Sequence, residues 1–345
     1  MKSPSAPSWY RLILAAAGAA GLAGLRPASH AEGANDRESP PLRLVQDIPL
    51  PGVEGRLDHF TIDPKRKRVI FSALGNNSVE VVDAFAGRVI HTITGLDEPQ
   101  GSAYIPELDK LYVANAGSGK VHVYNGTSFQ LLATIEFGDD ADNLRYDAAA
   151  KRLYVGYGDG AIAGIDVTTD KRLETEYKVD DHPESFQLET KGTRIFVNIA
   201  TKNYVAVIDR KDGSVAKWKL EGVGQNFPMA LDEDDGRLFL GTRKPSRLVV
   251  LDTASGKIVA NLPAAGDMDD LFYDAGRKRI YIPGGDGNIS VFDQKDPNTY
   301  SELAKIPSAV GCRTGTFYVK RDKVYLGCPP HANLGAAVLV FEAQD

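Results

Sequence analysis

The sequence predicts an all-β chain: a seven-bladed β-propeller of four-stranded antiparallel blades. Three observations predict it. Seven similar apolar segments begin at Arg68, Lys110, Arg152, Arg194, Arg237, Arg279 and Lys323, spaced by 42, 42, 42, 43, 42 and 44 residues. Each of them (RVIFSA, KLYVAN and RLYVGY are the first three) is short, rich in Val, Ile, Leu, Tyr and Phe, and bounded by Gly, Asn, Asp or Pro. That is strand chemistry. Each period holds four such segments, and four antiparallel strands per roughly 42 residues is the spacing of a propeller blade. Helical repeats of this period would need stretches of about 10–15 residues with 3.6-residue periodicity, and none occurs.

The chain begins with a different kind of segment. Lys2 and Arg11 precede an apolar run from Leu12 to Leu25, and Ser29-His30-Ala31 follows with small residues at −3 and −1 of a cut after Ala31. As a helix this run reaches only about 21 Å, short of a hydrocarbon layer of about 30 Å. Residues 1–31 are therefore expected to be a Sec-type signal peptide rather than a weak anchor, and residues 32–41 a flexible leader. No later stretch predicts a transmembrane span, so the mature protein is expected to be periplasmic or secreted.

The seventh repeat supplies TGTFYV, KVYLGC and AVLVFE and then stops at Asp345, one strand short. LRLVQDI from Leu42 has no place in the first repeat. Set as the outer strand of the last blade, it joins the two ends of the chain and removes an open sheet edge. Residues 42–345 then form one domain, with its core distributed between blades.

Paired segments such as KLYVANAGSGKVHVYN resemble the YVTN-type β-propeller family of exported bacterial proteins, and the resemblance runs through residues 42–345. It implies a seven-bladed ring outside the cytoplasm. Relatives of that kind include binding proteins, lactonase-like propellers and heavy subunits of redox enzymes. No catalytic motif of the family matches position by position, so the resemblance assigns no functional residue.

Candidate site residues come from the repeat itself. Ten residues before each second strand stand Asp58, Gln100, Asp142, Glu184, Phe227, Asp269 and Arg313; twelve before stand Arg56, Glu98, Asp140, His182, Gln225, Asp267 and Gly311. The position between is mostly apolar. Period-2 alternation of this kind predicts two polar rings lining the channel mouth. With His59, Asn143 and Asn226 alongside, Arg56, Asp58, Gln100, Asp142, His182, Glu184, Asp269 and Arg313 make the candidate ligand-binding set. One reading is a solvated polar channel. The sharper one is a carboxylate-rich concavity for a cation or cationic ligand. Asp142, Asn143, Glu184 and Asp269 would suit Ca²⁺ or Mg²⁺ better than Zn²⁺, since hard cations take oxygen ligands. Arg243 and Lys244 are expected on the rim.

Composition and missing motifs narrow the chemistry. The formal net charge of −6 argues against nucleic acid as partner, although Lys65–Arg68, Lys151-Arg152, Arg277–Arg279 and Lys320-Arg321 put basic turns on the opposite face. There is no CxxCH for haem and no GxSxG elbow, and Gly117-Ser118-Gly119-Lys120 joins two strands, so it is a hairpin rather than a nucleotide loop. Cys312 and Cys328 should meet across a hairpin, and export favours a disulfide between them. The expected function is that of a monomeric exported binding protein holding a small ligand, cation or protein partner at an acidic mouth, without catalysis. The competing expectation is a metal-dependent hydrolase or lactonase using a carboxylate-bound cation.

Overall fold

Asp and Gly residues placed between the apolar segments, with lysines among them, turn the chain back on itself at each hairpin. The residue just before the second strand adopts a left-handed conformation at Lys67, Asp109, Lys151, Gly236, Lys278 and Asp322, with φ between 50° and 62°. Short hairpins that carry a left-handed turn residue match the right-handed twist of the strands they join. The computed structural model describes residues 39–345. The signal peptide expected at 1–31 and all but the end of the leader expected at 32–41 lie outside the described residues.

The hairpins build seven sheets, each of four antiparallel strands, and among the described residues helix is confined to two 3-10 turns, Leu74–Asn76 and Val319–Arg321. Six sheets follow chain order from the inner to the outer strand. The seventh runs Thr314–Tyr318, Lys323–Cys328 and Ala337–Ala343 outwards and is completed by Leu42–Pro49. Leu42 pairs with Ala343 and Pro49 with Ala337. The first strand of the chain thus closes the last blade, as expected. The inner strands touch in a cycle that returns from Thr314–Tyr318 to Phe60–Asp63. No helix among the described residues is long and apolar enough to cross a membrane.

Burial explains the closure. Each apolar cluster takes residues from two neighbouring blades: Tyr112 and Val121 with Leu153 and Val155, or Phe71 and Val82 with Tyr325 and Val340. A single sheet would leave one of these faces wet. Ion pairs add to the seams on the hairpin-turn face. Arg66 reaches Asp109 at 2.9 Å, Lys110 reaches Asp170 at 2.7 Å, Arg210 reaches Asp147 at 2.6 Å and Arg277 reaches Asp322 at 2.7 Å, each pair joining two blades. The basic turns expected on this face are therefore partly neutralised by carboxylates. Cys312 and Cys328 are joined by a disulfide, their Cα atoms 4.3 Å apart, within the blade that the first strand closes.

Candidate functional site

The channel-facing residues owe their placement to a repeated irregularity. In blade 3, Ala141 pairs with Tyr157 and Leu144 with Val155, so Asp142 and Asn143 together oppose Gly156. The same two-for-one step sets Gln100-Gly101 against Ala114 and Phe227-Pro228 against Gly241. In blade 1 the Asp58 N–H donates to Ser72 O at 2.8 Å and Ser72 N–H to His59 O at 3.2 Å. In blade 4 Glu184 and Ser185 share Asn198 in the same way, at 3.1 Å each. Blade 6 also gains a residue, between the Met268–Gly284 and Phe272–Tyr281 pairs. A β-bulge re-aims side chains and suspends strict alternation. That corrects the sequence expectation of simple period-2 rings, because polar pairs such as Asp58-His59, Asp142-Asn143 and Asp269-Asp270 come to the channel side by side.

The position two residues earlier has a backbone role as well. Glu98, Asp140, Gln225 and Asp267 all have positive φ, between 34° and 55°. Among non-glycine residues Asn and Asp tolerate this region best, as at Asp140 and Asp267.

The side chains then pair within and across blades. Arg56 Nη2 lies 2.5 Å from Asp58 Oδ2 and 3.4 Å from Gln100 Oε1. Asp269 is held between Arg243, at 2.6 Å, and Arg313, at 3.0 Å, and Arg313 also grips Asp267 at 2.8 Å. The Arg243 guanidinium sits 3.8 Å from the centre of the Phe227 ring. His182 donates from Nδ1 to Gly158 O at 2.9 Å and turns Nε2 to Asp142 Oδ2 at 3.5 Å. His59 lies between Asp270 Oδ1 at 3.3 Å and Asp58 Oδ1 at 3.6 Å. Arg56, Asp58, Asp142 and Asp269 are close enough to feel one another's charge. Asn226 is the exception in the expected set. Its amide is fully buried, donating to Asn198 Oδ1 at 2.7 Å and Tyr204 O at 3.1 Å, which makes it a tie between blades 4 and 5 rather than a channel group.

Protonation follows from these contacts. Burial works against charge on His59, yet Asp270 and Asp58 outweigh it and raise the imidazole to about 10. Burial likewise opposes charge on His182, and Asp142 and Asp140 lift it to about 9. Burial alone would raise the Asp142 carboxyl; the hydrogen bond and charge of His182, with His59, bring it below the usual range. Glu184 has no ion-pair partner within 4.0 Å among the described residues, and burial plus the charge of Asp142 push it up to about 7. Cations therefore stand among the carboxylates of the mouth, with Arg56, His59, His182, Arg243 and Arg313 each within 4.0 Å of one.

Below these groups lies a cavity of about 180 Å³ lined by His59, Ser102, Asn143, Arg145, Gln187 and Asp270, among others. Asn143 Oδ1, on a residue of this lining, and Asp142 Oδ1, on its neighbour in sequence, are buried with no hydrogen-bond partner among the described residues. Buried acceptors are nearly always paired, so two orphans on adjacent residues are notable. For the four expected metal ligands, the geometry is unfavourable: Asp269 is committed to two guanidiniums, and Oδ2 of Asp142 to His182 and Asn143. Among the described residues no group of three or more His, Cys, Asp and Glu side chains is arranged to hold a metal ion. Asp270 and Arg145 are not among the residues read from the sequence, and Arg243 is expected there only as rim. Their signals were the second carboxylate of Asp269-Asp270 and a lone Arg inside the strand ADNLRYD.

No family model matches the chain. The uncharacterized protein YncE of Salmonella typhimurium is 23% identical over 239 residues, covering 64% of this chain and 67% of that protein. YncE of Escherichia coli K12 is 26% identical over 171 residues, 45% of this chain and 48% of its own length. Among solved structures, a chain of Kuenenia stuttgartiensis hydrazine synthase superposes with a TM-score of 0.69 at 19% identity, covering 80% of this chain and 95% of that one. A chain of the mitotic checkpoint complex gives 0.74 at 16% identity, with 95% and 99% covered. At such identities the structural likeness carries the fold alone. The chain is a seven-bladed β-propeller with distant bacterial relatives among the YncE proteins.

Proposed function

We propose that this chain is an exported binding protein that takes a small polar ligand in the mouth and waist of its central channel. One observation carries the reading: charged groups from several blades converge around a cavity whose lining includes Asn143, a residue with a buried acceptor oxygen that has no donor. Concave sites with a few convergent polar groups are the usual form of a small-molecule site. Blades that differ at equivalent positions (Asp58, Gln100, Asp142, Glu184, Phe227, Asp269, Arg313) give the ring an asymmetric interior, which suits one ligand orientation. Export is supported by the basic start, short apolar run and Ser29-His30-Ala31, and by the disulfide, which persists in oxidising compartments. The YncE likeness supports a YVTN-type repeat.

Thermal unfolding of the mature chain tests this against amines, polyols, amino acids, carboxylates, Ca²⁺, Mg²⁺ and Zn²⁺. At least one small polar compound should raise Tm, and Asp142→Asn should diminish the rise. If no compound raises Tm, or if Asp142→Asn leaves every rise intact, the channel is not the site. A rise with Ca²⁺ or Mg²⁺ that Glu184→Gln abolishes would instead favour the metal-dependent hydrolase.

A further inference from the structure

Resting on that reading, we infer the class of ligand: a small carboxylate that carries its own hydrogen-bond donor, as a hydroxy acid or an amino acid does, with Arg145 anchoring the carboxylate. Arg145 differs from every other channel cation. Arg56, His59, His182, Arg243 and Arg313 each have a carboxylate within 4.0 Å, whereas no carboxylate lies within that distance of Arg145 among the described residues. Its guanidinium lies 5.5 Å from the centre of the Phe186 ring, donates from Nη1 to Leu144 O at 2.8 Å and from Nη2 to Ser185 Oγ at 3.1 Å, and lines the cavity. A guanidinium has five N–H donors in a planar fork, so donors remain for an anion, and the fork matches a carboxylate bidentately.

The carboxylates whose charge reaches Arg145 lie beyond 4.0 Å from it, and three of their four oxygens have other partners. Asp270 Oδ1 faces His59 and its Oδ2 accepts from Gly315 N–H at 2.8 Å; Asp142 Oδ2 faces His182. Arg145 is half-buried, and Asp270 and Asp142 favour its charge only from beyond 4.0 Å, so an anion bound directly to the guanidinium would stabilise it further. Burial does depress the Arg145 guanidinium below its usual value.

The donor requirement comes from the same strand. Asn143 stands two residues before Arg145, about 7 Å along an extended chain, and both line the cavity. Asn143 Oδ1 lacks a donor, while Arg145 has donors in excess. A single small molecule bearing a carboxylate at one end and a hydroxyl or ammonium near it satisfies both. A bare carboxylate satisfies only the arginine, and a bare amine only the Asn143 acceptor.

Calorimetric titration of the mature chain with lactate, alanine, propionate and ethanolamine separates these cases. Lactate or alanine should bind at least tenfold more tightly than propionate or ethanolamine, and which of the two wins tells hydroxyl from ammonium. Arg145→Gln should weaken the better ligand at least tenfold, with Arg145→Lys falling between. If ethanolamine binds as well as alanine, or if Arg145→Gln binds unchanged, the carboxylate assignment is wrong while the channel site stands. If none of the four binds, this assignment fails, and the wider panel above decides the channel site separately. The ligand series needs only the wild-type chain, so it decides even if Arg145→Gln does not fold.

Discussion

At the scale of the residue, pairing sets protonation, and protonation should be visible in stability. His59 and His182 have folded-state values of about 10 and about 9, above the ordinary 6.5. Their stabilising contribution is complete below about pH 6.5 and is lost as pH rises through 9 and 10. Glu184 is a carboxylate raised to about 7 from 4.5, so burial of its charged form costs stability as pH climbs from 4.5 through 7. Glu184→Gln should therefore unfold at higher urea than wild type at pH 8, by about 1–3 kcal/mol, and match it near pH 4.5. Equal stability at both pH values would mean that Glu184 is solvated in the folded protein. Much of this layer was legible in the sequence: the repeat offset finds Arg56, Asp58, Asp142, His182, Glu184, Asp269 and Arg313. Asp270 and Arg145 escaped it because the offset assumes a regular pleat, and the bulge turns an additional residue inward.

At the scale of the element, the bulge depends on close approach between neighbouring inner strands. A Cβ on Gly101 would lie 2.1 Å from the backbone oxygen of Asp142, a contact that requires one strand to move. Gly101→Val should cost about 1–3 kcal/mol by overpacking, and should reduce ligand binding because Asp142 shifts with its strand. Retained binding at lowered stability would uncouple the strand contact from the site. The disulfide is a second local device, closing a short loop of sequence separation 16 between the entry to the last inner strand and the end of the next strand. Cys312→Ser with Cys328→Ser should lower stability by about 2–4 kcal/mol in urea unfolding, mainly by loosening the unfolded chain's constraint. The sequence showed the strands and the cysteine pairing because turn residues and apolar runs mark them directly. It showed no bulge, since nothing in composition distinguishes a two-for-one step from a one-residue shift in register.

At the scale of the whole molecule, the ring is held by Leu42–Pro49 against Ala337–Ala343. Removing residues through Pro49 exposes the edge of Ala337–Ala343 and uncovers Leu50, Val53 and Leu57 in the seam between the last and first blades. Such a chain should unfold with a smaller urea dependence and associate through its open edge, which light scattering would detect. A monomeric, fully cooperative product would show that the ring does not need its clasp. Closure was readable from the count of strands alone: seven repeats, one strand short at the end and one to spare at the start.

Histidine-ring NMR of the mature chain, recorded with and without alanine or whichever panel compound most raises Tm, tests the channel site most directly. The chain has six histidines, His30 within the expected signal, and His59 and His182 lie in the channel while His91 and His122 lie on outer parts of blades 1 and 2. A channel site predicts shifts at His59 and His182 on ligand addition, with His91 and His122 unmoved. Shifts confined to His91, His122 or His331, with the two channel rings unchanged, would contradict it.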